Sequence, residues 1–414
     1  MILEGQTAAE VHLPNFNFTS FAGYMTVNKR YNSNIFFWYI QSEIDPKNAP
    51  VVLWLQGGPG SSSLFGLFCE NGPITPDKNG RMQISKYAWS NLFNVIYIDN
   101  PVGTGFSFTE DEQGYPNNQV EVGKDLHSTL EQFFTLFPHL RKNDFFVTGE
   151  SYAGKYVPAV AFAIHTANKN NTRKINMKGI AIGDGWTDPE NMLLYGDYLY
   201  QIGLIDKNAR DAFHEKENET RWYIQKGDYT SATKVIDSLI LTVYTPYPSF
   251  FTNITGFSAY YNYLNVGDES ESCDYSTFLL SDQIRNRIHV GNKTYLGGEV
   301  SARHLFDDIG KSVKPWVEVL LENYRVLFYN GQLDIICAYP LTVNFLNHLS
   351  WSGSDLYKVA PRKEWFVGGE LAGYTKTVKG FTEVLVRDAG HMVPSDQPKY
   401  AFDLLSRFVF NKSF

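Results

Sequence analysis

Residues 144–165 read DFFVTGESYAGKYVPAVAFAIH. An apolar run, Phe145–Val147, meets a glycine and then a serine, and the next residues are small or apolar at helical spacing. That order predicts a strand, a tight corner and a helix, with Ser151 held at the corner. A hydroxyl so placed is exposed, and the helix N-terminus below it favours negative charge developing beside it. The pattern that such a corner usually follows is Gly-x-Ser-x-Gly. Here Ala153 fills the last slot and Gly154 comes one residue later, so small residues still flank the serine. A corner of this kind also occurs as a plain turn, and the rest of the chain decides between the two.

Other runs resemble the strand at its head: residues 34–40, 50–56, 94–100, 178–185, 324–331 and 382–390. They are rich in Val, Ile, Phe and Tyr, and most end in Gly, Asn or Asp. Runs that are apolar at every position suit strands covered on both faces, as in a parallel or mixed sheet between layers of helix. Helical patterns lie between them. In 118–138, Val122, Leu126, Leu130, Phe133, Phe134 and Phe137 fall on one face. Residues 395–410 predict a last helix, capped by Ser395 or Asp396 with Pro398 in its first turn. From 186 to 300 the strand-and-glycine beat stops, and charge and tyrosine increase. This segment reads as an insertion over the sheet, or else as a separate domain, between core portions 1–185 and 301–414.

The 414 residues are 43% hydrophobic and 15% aromatic, with 26 Tyr and 30 Phe, which allows a large core and argues against disorder. A net charge of −8 offers no basic field for nucleic acid. No run of apolar residues is long enough to span a membrane. The first residues carry no basic-then-apolar leader, so no signal peptide is expected in this chain. Three cysteines, Cys69, Cys273 and Cys337, allow at most one disulfide and leave a thiol over. Six Asn-x-Ser/Thr sequons, at Asn17, Asn170, Asn218, Asn253, Asn292 and Asn411, favour a secretory route and are candidate glycosylation sites.

A nucleophilic serine needs a base, and the base needs an acid to orient it. Among the histidines, His391 stands out. It follows the run 382–390, and GHMVPSDQP turns at once into the last helix. The acid is expected at another strand end, and YRVLFYNGQLD supplies Asp334. Developing oxyanion charge needs fixed N–H donors. The N–H of Tyr152 is one candidate, and Gly58 in VVLWLQGGPGSSS (51–63) is the other. That glycine-rich loop lacks the spacing of a phosphate-binding loop.

WLQGGPGSSS, IDNPVGTGFS (98–107), VTGESYAGKYVP (147–158), AIGDGWTDP, YNGQLDIIC (329–337) and GHMVPSDQP (390–398) occur in this order and span residues 20 to 410. Together they resemble the serine carboxypeptidase family, and WLQGGPG, FGLFCENGP and YNGQLDII are most similar to its vitellogenic-like subgroup. The resemblance implies an α/β-hydrolase fold, a central mixed, mostly parallel sheet flanked by helices with an inserted, mainly helical cap. It implies Ser151, Asp334 and His391 as a catalytic triad and Gly58 and Tyr152 as the oxyanion hole. It also implies that Gln56, Gly57, Glu70 and Glu150 grip the C-terminal carboxylate of a peptide, with Gln56 standing where many members have Asn. Met392 and Cys337 are assigned to the substrate pocket, Cys337 as a free thiol. Ser61 follows GGPG where members often carry Cys, so the family's disulfide pattern does not carry over.

The implied enzyme removes C-terminal amino acids from peptides or proteins and works best at acidic pH, because close carboxyls must hold protons to donate to another carboxylate. It needs neither metal nor organic cofactor and is expected as a monomer or homodimer, secreted or in a lysosome or vacuole. The rival readings are an acyltransferase with the same triad, a general esterase, and a non-catalytic binding or storage protein.

Overall fold

The computed structural model describes residues 2–267 and 273–414. Its strands are, in chain order, β1 Glu10–Val11, β2 Ser20–Asn28, β3 Ser33–Ile40, β4 Val51–Leu55, β5 Ile74–Pro76, β6 Met82–Ile84, β7 Asn94–Ile98, β8 Phe145–Glu150, β9 Met177–Gly183, β10 Arg325–Gly331, β11 Lys363–Val367, β12 Glu370–Val378 and β13 Phe381–Val386. Eleven form one sheet, ordered β1-β2-β3-β7-β4-β8-β9-β10-β13-β12-β11, and β5 pairs with β6 separately. The six strands from β7 to β13 in that order are mutually parallel. The flanking pairs are antiparallel.

The parallel strands are buried at almost every position because helices cover both faces. In β4, Val51, Leu53 and Leu55 face one core and Val52 and Trp54 the other. In β8, Phe145 and Val147 separate from Phe146 in the same way. The first core lies under the helices Gln119–Leu136 and Ala153–Asn170, the second under Pro398–Val409. The Gln119–Leu136 helix buries Val122, Leu126, Leu130, Phe133 and Phe134, the face predicted from spacing, and the Asn118 side chain caps it by accepting the Glu121 N–H. Burying one such Leu or Phe side chain contributes about 1.5–3 kcal/mol.

The last helix differs from expectation. It is split into Val393–Asp396 and Pro398–Val409, and neither Ser395 nor Asp396 caps the second part. Gln397 holds the capping position without a side-chain bond, and the Asp396 carboxylate instead accepts the Gly390 N–H at 2.6 Å. Pro398, having no N–H to lose, opens the second part.

The sheet is continued by β10 only after a long excursion from Gly183 to Arg325, which is helical in its regular parts. Cys69 and Cys273 form a disulfide across 204 positions and tie this excursion to the first half of the chain. Cys337 is a buried free thiol. No helix among the described residues is long and apolar enough to cross a membrane.

Candidate active site

Parallel strands deliver their C-terminal ends to one edge of the sheet, where the following loops gather. Gln56–Gly58 follow β4, Ser151 follows β8, Asp184 follows β9, Asp334 lies three residues past β10, and His391 lies in the loop after β13. Ser151 is in the left-handed region, with φ of 61°. Its N–H donates to Gly183 O at 3.0 Å, and its carbonyl accepts from Gly154 N at 2.8 Å and Trp186 N at 2.9 Å. That bonding fixes a backbone shape a non-glycine residue rarely adopts, and such strain collects at functional corners. The flanking glycines are required by space. A Cβ on Gly149 would come within 2.4 Å of Leu55 O, and one on Gly154 within 2.7 Å of Trp186 N.

The glycine loop after β4 lies directly against this corner. A Cβ on Gly57 would stand 2.5 Å from Tyr152 N and 2.6 Å from Ser151 Cβ. Gly58, at φ of 108°, is exposed. Gly58 is therefore the residue next to the one that touches the Ser151 corner, and the amide of Tyr152 heads the Ala153–Asn170 helix. Asp99 holds the loop in place: it accepts from Ser62 Oγ at 2.5 Å and Phe106 N at 2.9 Å.

His391 and Asp334 are fully buried. His391 Nδ1 lies 2.9 Å from Asp334 Oδ2, which also accepts the Cys337 N–H at 3.3 Å. Burial, and next the nearby Asp334, push the Cys337 thiol well above its ordinary pKa, so it is no nucleophile. Met392, half-buried, directly follows His391.

Beside the serine a second group is assembled. Trp54 Nε1 donates to Gln56 Oε1 at 3.0 Å, and Gln56 Nε2 donates to Glu150 Oε1 at 2.7 Å. Indole N–H is a donor only, so the amide oxygen must face Trp54 and the amide nitrogen must face Glu150. Gly66 makes room for the indole: a Cβ there would lie 2.0 Å from Trp54 Nε1. Glu150 and Glu70 are both buried, and each shifts the other's protonation. Burial raises Glu70 to about 8, opposed by the neighbouring Glu150 and Gln56. Glu150 is raised further, by burial first and then by the charge of Glu70. Two neutral carboxyls and an oriented amide form a set of donors suited to an incoming carboxylate.

Other contributors carry no motif. The backbone N–H of His391 donates to Tyr261 O at 2.7 Å, and the two rings lie 5.4 Å apart. Tyr260 O accepts from Ile335 N and Ile336 N, Tyr263 N donates to Leu333 O, Tyr198 OH donates to Asp334 O, and Tyr195 OH to Ile336 O. These residues of the excursion clasp the loops bearing the acid and the imidazole. The tyrosine-rich composition of 186–300 was their only trace in sequence. All six sequon asparagines are exposed.

The sequence pattern of serine carboxypeptidases matches residues 11–411. The chain is 54% identical over 398 residues to a venom serine carboxypeptidase of Apis mellifera, covering 96% of this chain and 85% of that protein. It is 47% identical over 403 residues to a human protein named probable serine carboxypeptidase CPVL, with 96% and 85% covered. It is 47% identical over 414 residues to the vitellogenic carboxypeptidase of Aedes aegypti, with 99% and 87% covered. In fold it is similar to the prohormone-processing carboxypeptidase Kex1 of Saccharomyces cerevisiae, at a TM-score of 0.79 and 22% identity, covering 98% of this chain and 96% of the other.

Proposed function

The chain belongs to the serine carboxypeptidase family and is a serine-type hydrolase acting on peptides; from that premise we propose how its residues divide the work. Ser151 Oγ attacks the carbonyl of the last peptide bond. His391 takes the serine proton and passes it to the leaving amino acid. Asp334, bonded to Nδ1, holds the imidazole in the tautomer that leaves Nε2 free to accept and stabilises the imidazolium that forms. The N–H groups of Gly58 and Tyr152 receive the oxyanion. Water then attacks the acyl-enzyme with His391 as base, and the shortened peptide leaves.

Selection of a chain end falls to Glu70, Glu150, Gln56 and the Gly57 N–H. A neutral carboxyl donates to the terminal carboxylate, whereas an ionised one repels it. With Glu70 at about 8, the grip holds through acidic and neutral pH and is lost on the alkaline side. Residues 186–300 form a cap, and its tyrosines complete the wall over His391. The disulfide and the exposed sequons suit an oxidising, secretory route.

The observation that carries this reading is the convergence, at one sheet edge, of a left-handed serine, a 2.9 Å imidazole–carboxylate pair and two buried carboxyls. Two measurements test it. A fluorophosphonate should attach to Ser151, and a blocked dipeptide with a free C-terminus should yield one amino acid. Labelling elsewhere, or cleavage that leaves the terminal residue attached, refutes it.

A further inference from the structure

Asp184 directly follows β9, with φ of 43°, and is completely buried. Its Oδ1 accepts the Gly331 N–H at 2.8 Å, which anchors the carboxyl at the end of β10, three residues before Asp334. Its Oδ2 has no hydrogen-bond partner, nor has Oδ1 of Asp334; both oxygens are buried. The two carboxyls are close neighbours, buried side by side at the ends of adjacent strands. One oxygen or nitrogen each of Asp184, Asp334 and His391 lies within 4.8 Å of the other two.

Two carboxyls buried this close repel if both are ionised, and a bond between them needs a proton, since carboxylates only accept. Its owner follows from the remaining contacts. Asp334 Oδ2 receives two donors, His391 Nδ1 and Cys337 N. Asp184 receives one, Gly331 N. The better-supplied group carries the charge, so the proton rests on Asp184. The groups around it point the same way. Burial and then the Asp334 charge raise its pKa. Tyr329 and Cys337, also titratable neighbours, are themselves held neutral by burial.

We infer that Asp184 is a positioning residue: a neutral acid whose Oδ2–H donates to Oδ1 of Asp334 and locks that carboxylate in the orientation that receives the His391 Nδ1–H. The inference rests on the triad proposed above. Neither oxygen of Asp334 is then left empty, and the acid cannot rotate away from the imidazole as charge develops.

The test is the rate of fluorophosphonate attachment to the full-length chain, expressed per folded molecule. This readout does not involve the carboxylate-gripping residues. Asparagine reproduces a neutral acid, since Oδ1 accepts from Gly331 and Nδ2 donates to Asp334. Asp184→Asn is therefore expected within about threefold of the unaltered rate. Asp184→Gly suits the positive φ and removes the donor, so labelling should fall about tenfold or more while the fold persists. A purely structural role would lower the melting midpoint of Asp184→Gly and leave labelling per folded molecule unchanged; that result overturns the inference. So does a loss in Asp184→Asn as large as in Asp184→Gly, which would mean an ionised acceptor. Asp334→Ala separates the two levels: if it labels as fast as the unaltered protein, the triad has failed, whatever Asp184 does.

Discussion

Raising the pH from about 6 to about 9 should weaken capture of a free C-terminus without comparably weakening the serine. Burial raises Glu70 to about 8, and burial first, then the charge of Glu70, raises Glu150, so the pair begins to lose protons near 8. For a single group at about 8, nearly all molecules are neutral at pH ~6, about half at pH ~8 and about one in ten at pH ~9. If only the neutral pair binds, kcat/KM for a free-acid dipeptide falls about tenfold over that range, chiefly through KM. The assay compares this substrate with a blocked amino-acid ester lacking the carboxylate. Their ratio cancels effects of pH on Ser151 and His391. It should stay level up to neutrality and then drop. Glu70→Gln cannot ionise and should keep the ratio level to higher pH, at some cost in KM. A ratio unchanged or rising through pH ~9 in the unaltered enzyme would refute a grip by neutral carboxyls.

The same buried acid makes stability depend on pH. Glu70 titrates near 4.5 when unfolded and near 8 when folded, so between these values the folded state binds the extra proton. Stability therefore falls as pH rises through that window, by up to about 1.4 kcal/mol per unit for each such group, and is flat below it; melting midpoints across pH, with Glu70→Gln as the flatter control, check the sign. Gly57→Ala would press a methyl to 2.5 Å from Tyr152 N; it should cost roughly 1–3 kcal/mol in stability and abolish fluorophosphonate labelling of whatever folds. Trp54→Phe removes the donor that orients Gln56, so KM for free-acid peptides should rise several-fold, by the ~1–3 kcal/mol of an unpaired buried acceptor at most, with ester turnover unchanged. Cys69→Ser, which opens a bridge spanning 204 positions, should lower stability by roughly 2–5 kcal/mol in denaturant melts.

Strands in the middle of the sheet were legible because both their faces are buried. Residues 34–40, 94–100 and 324–331 each contain a strand close to its expected span. The outer strands were not. β2 alternates buried and half-buried residues, and in β11 only Trp365 and Val367 are buried, so neither forms an apolar run. In the last helix, a proline was expected inside a capped first turn, but Asp396 is drawn to the Gly390 N–H across the corner. Tertiary demand for that carboxylate outweighed its local capping preference.

The candidate residues were named from their types and their places after apolar runs, since a serine, an acid and a histidine at strand ends can meet only where parallel strands share an edge. What sequence did not contain was the environment of each charge. Whether Glu150 is neutral depends on Glu70, 80 positions earlier, and on the burial of both. The orientation of Gln56 depends on an indole on the strand before it, and Asp184 gained a role only because β9 runs beside β10. Side-chain chemistry and chain order follow from covalent connectivity and local pattern, so the sequence alone determined the class of fold and the cast of reactive groups. Protonation and aim arise from desolvation and from contacts between distant segments, so only the tertiary structure decided which carboxyls hold protons and what each one faces.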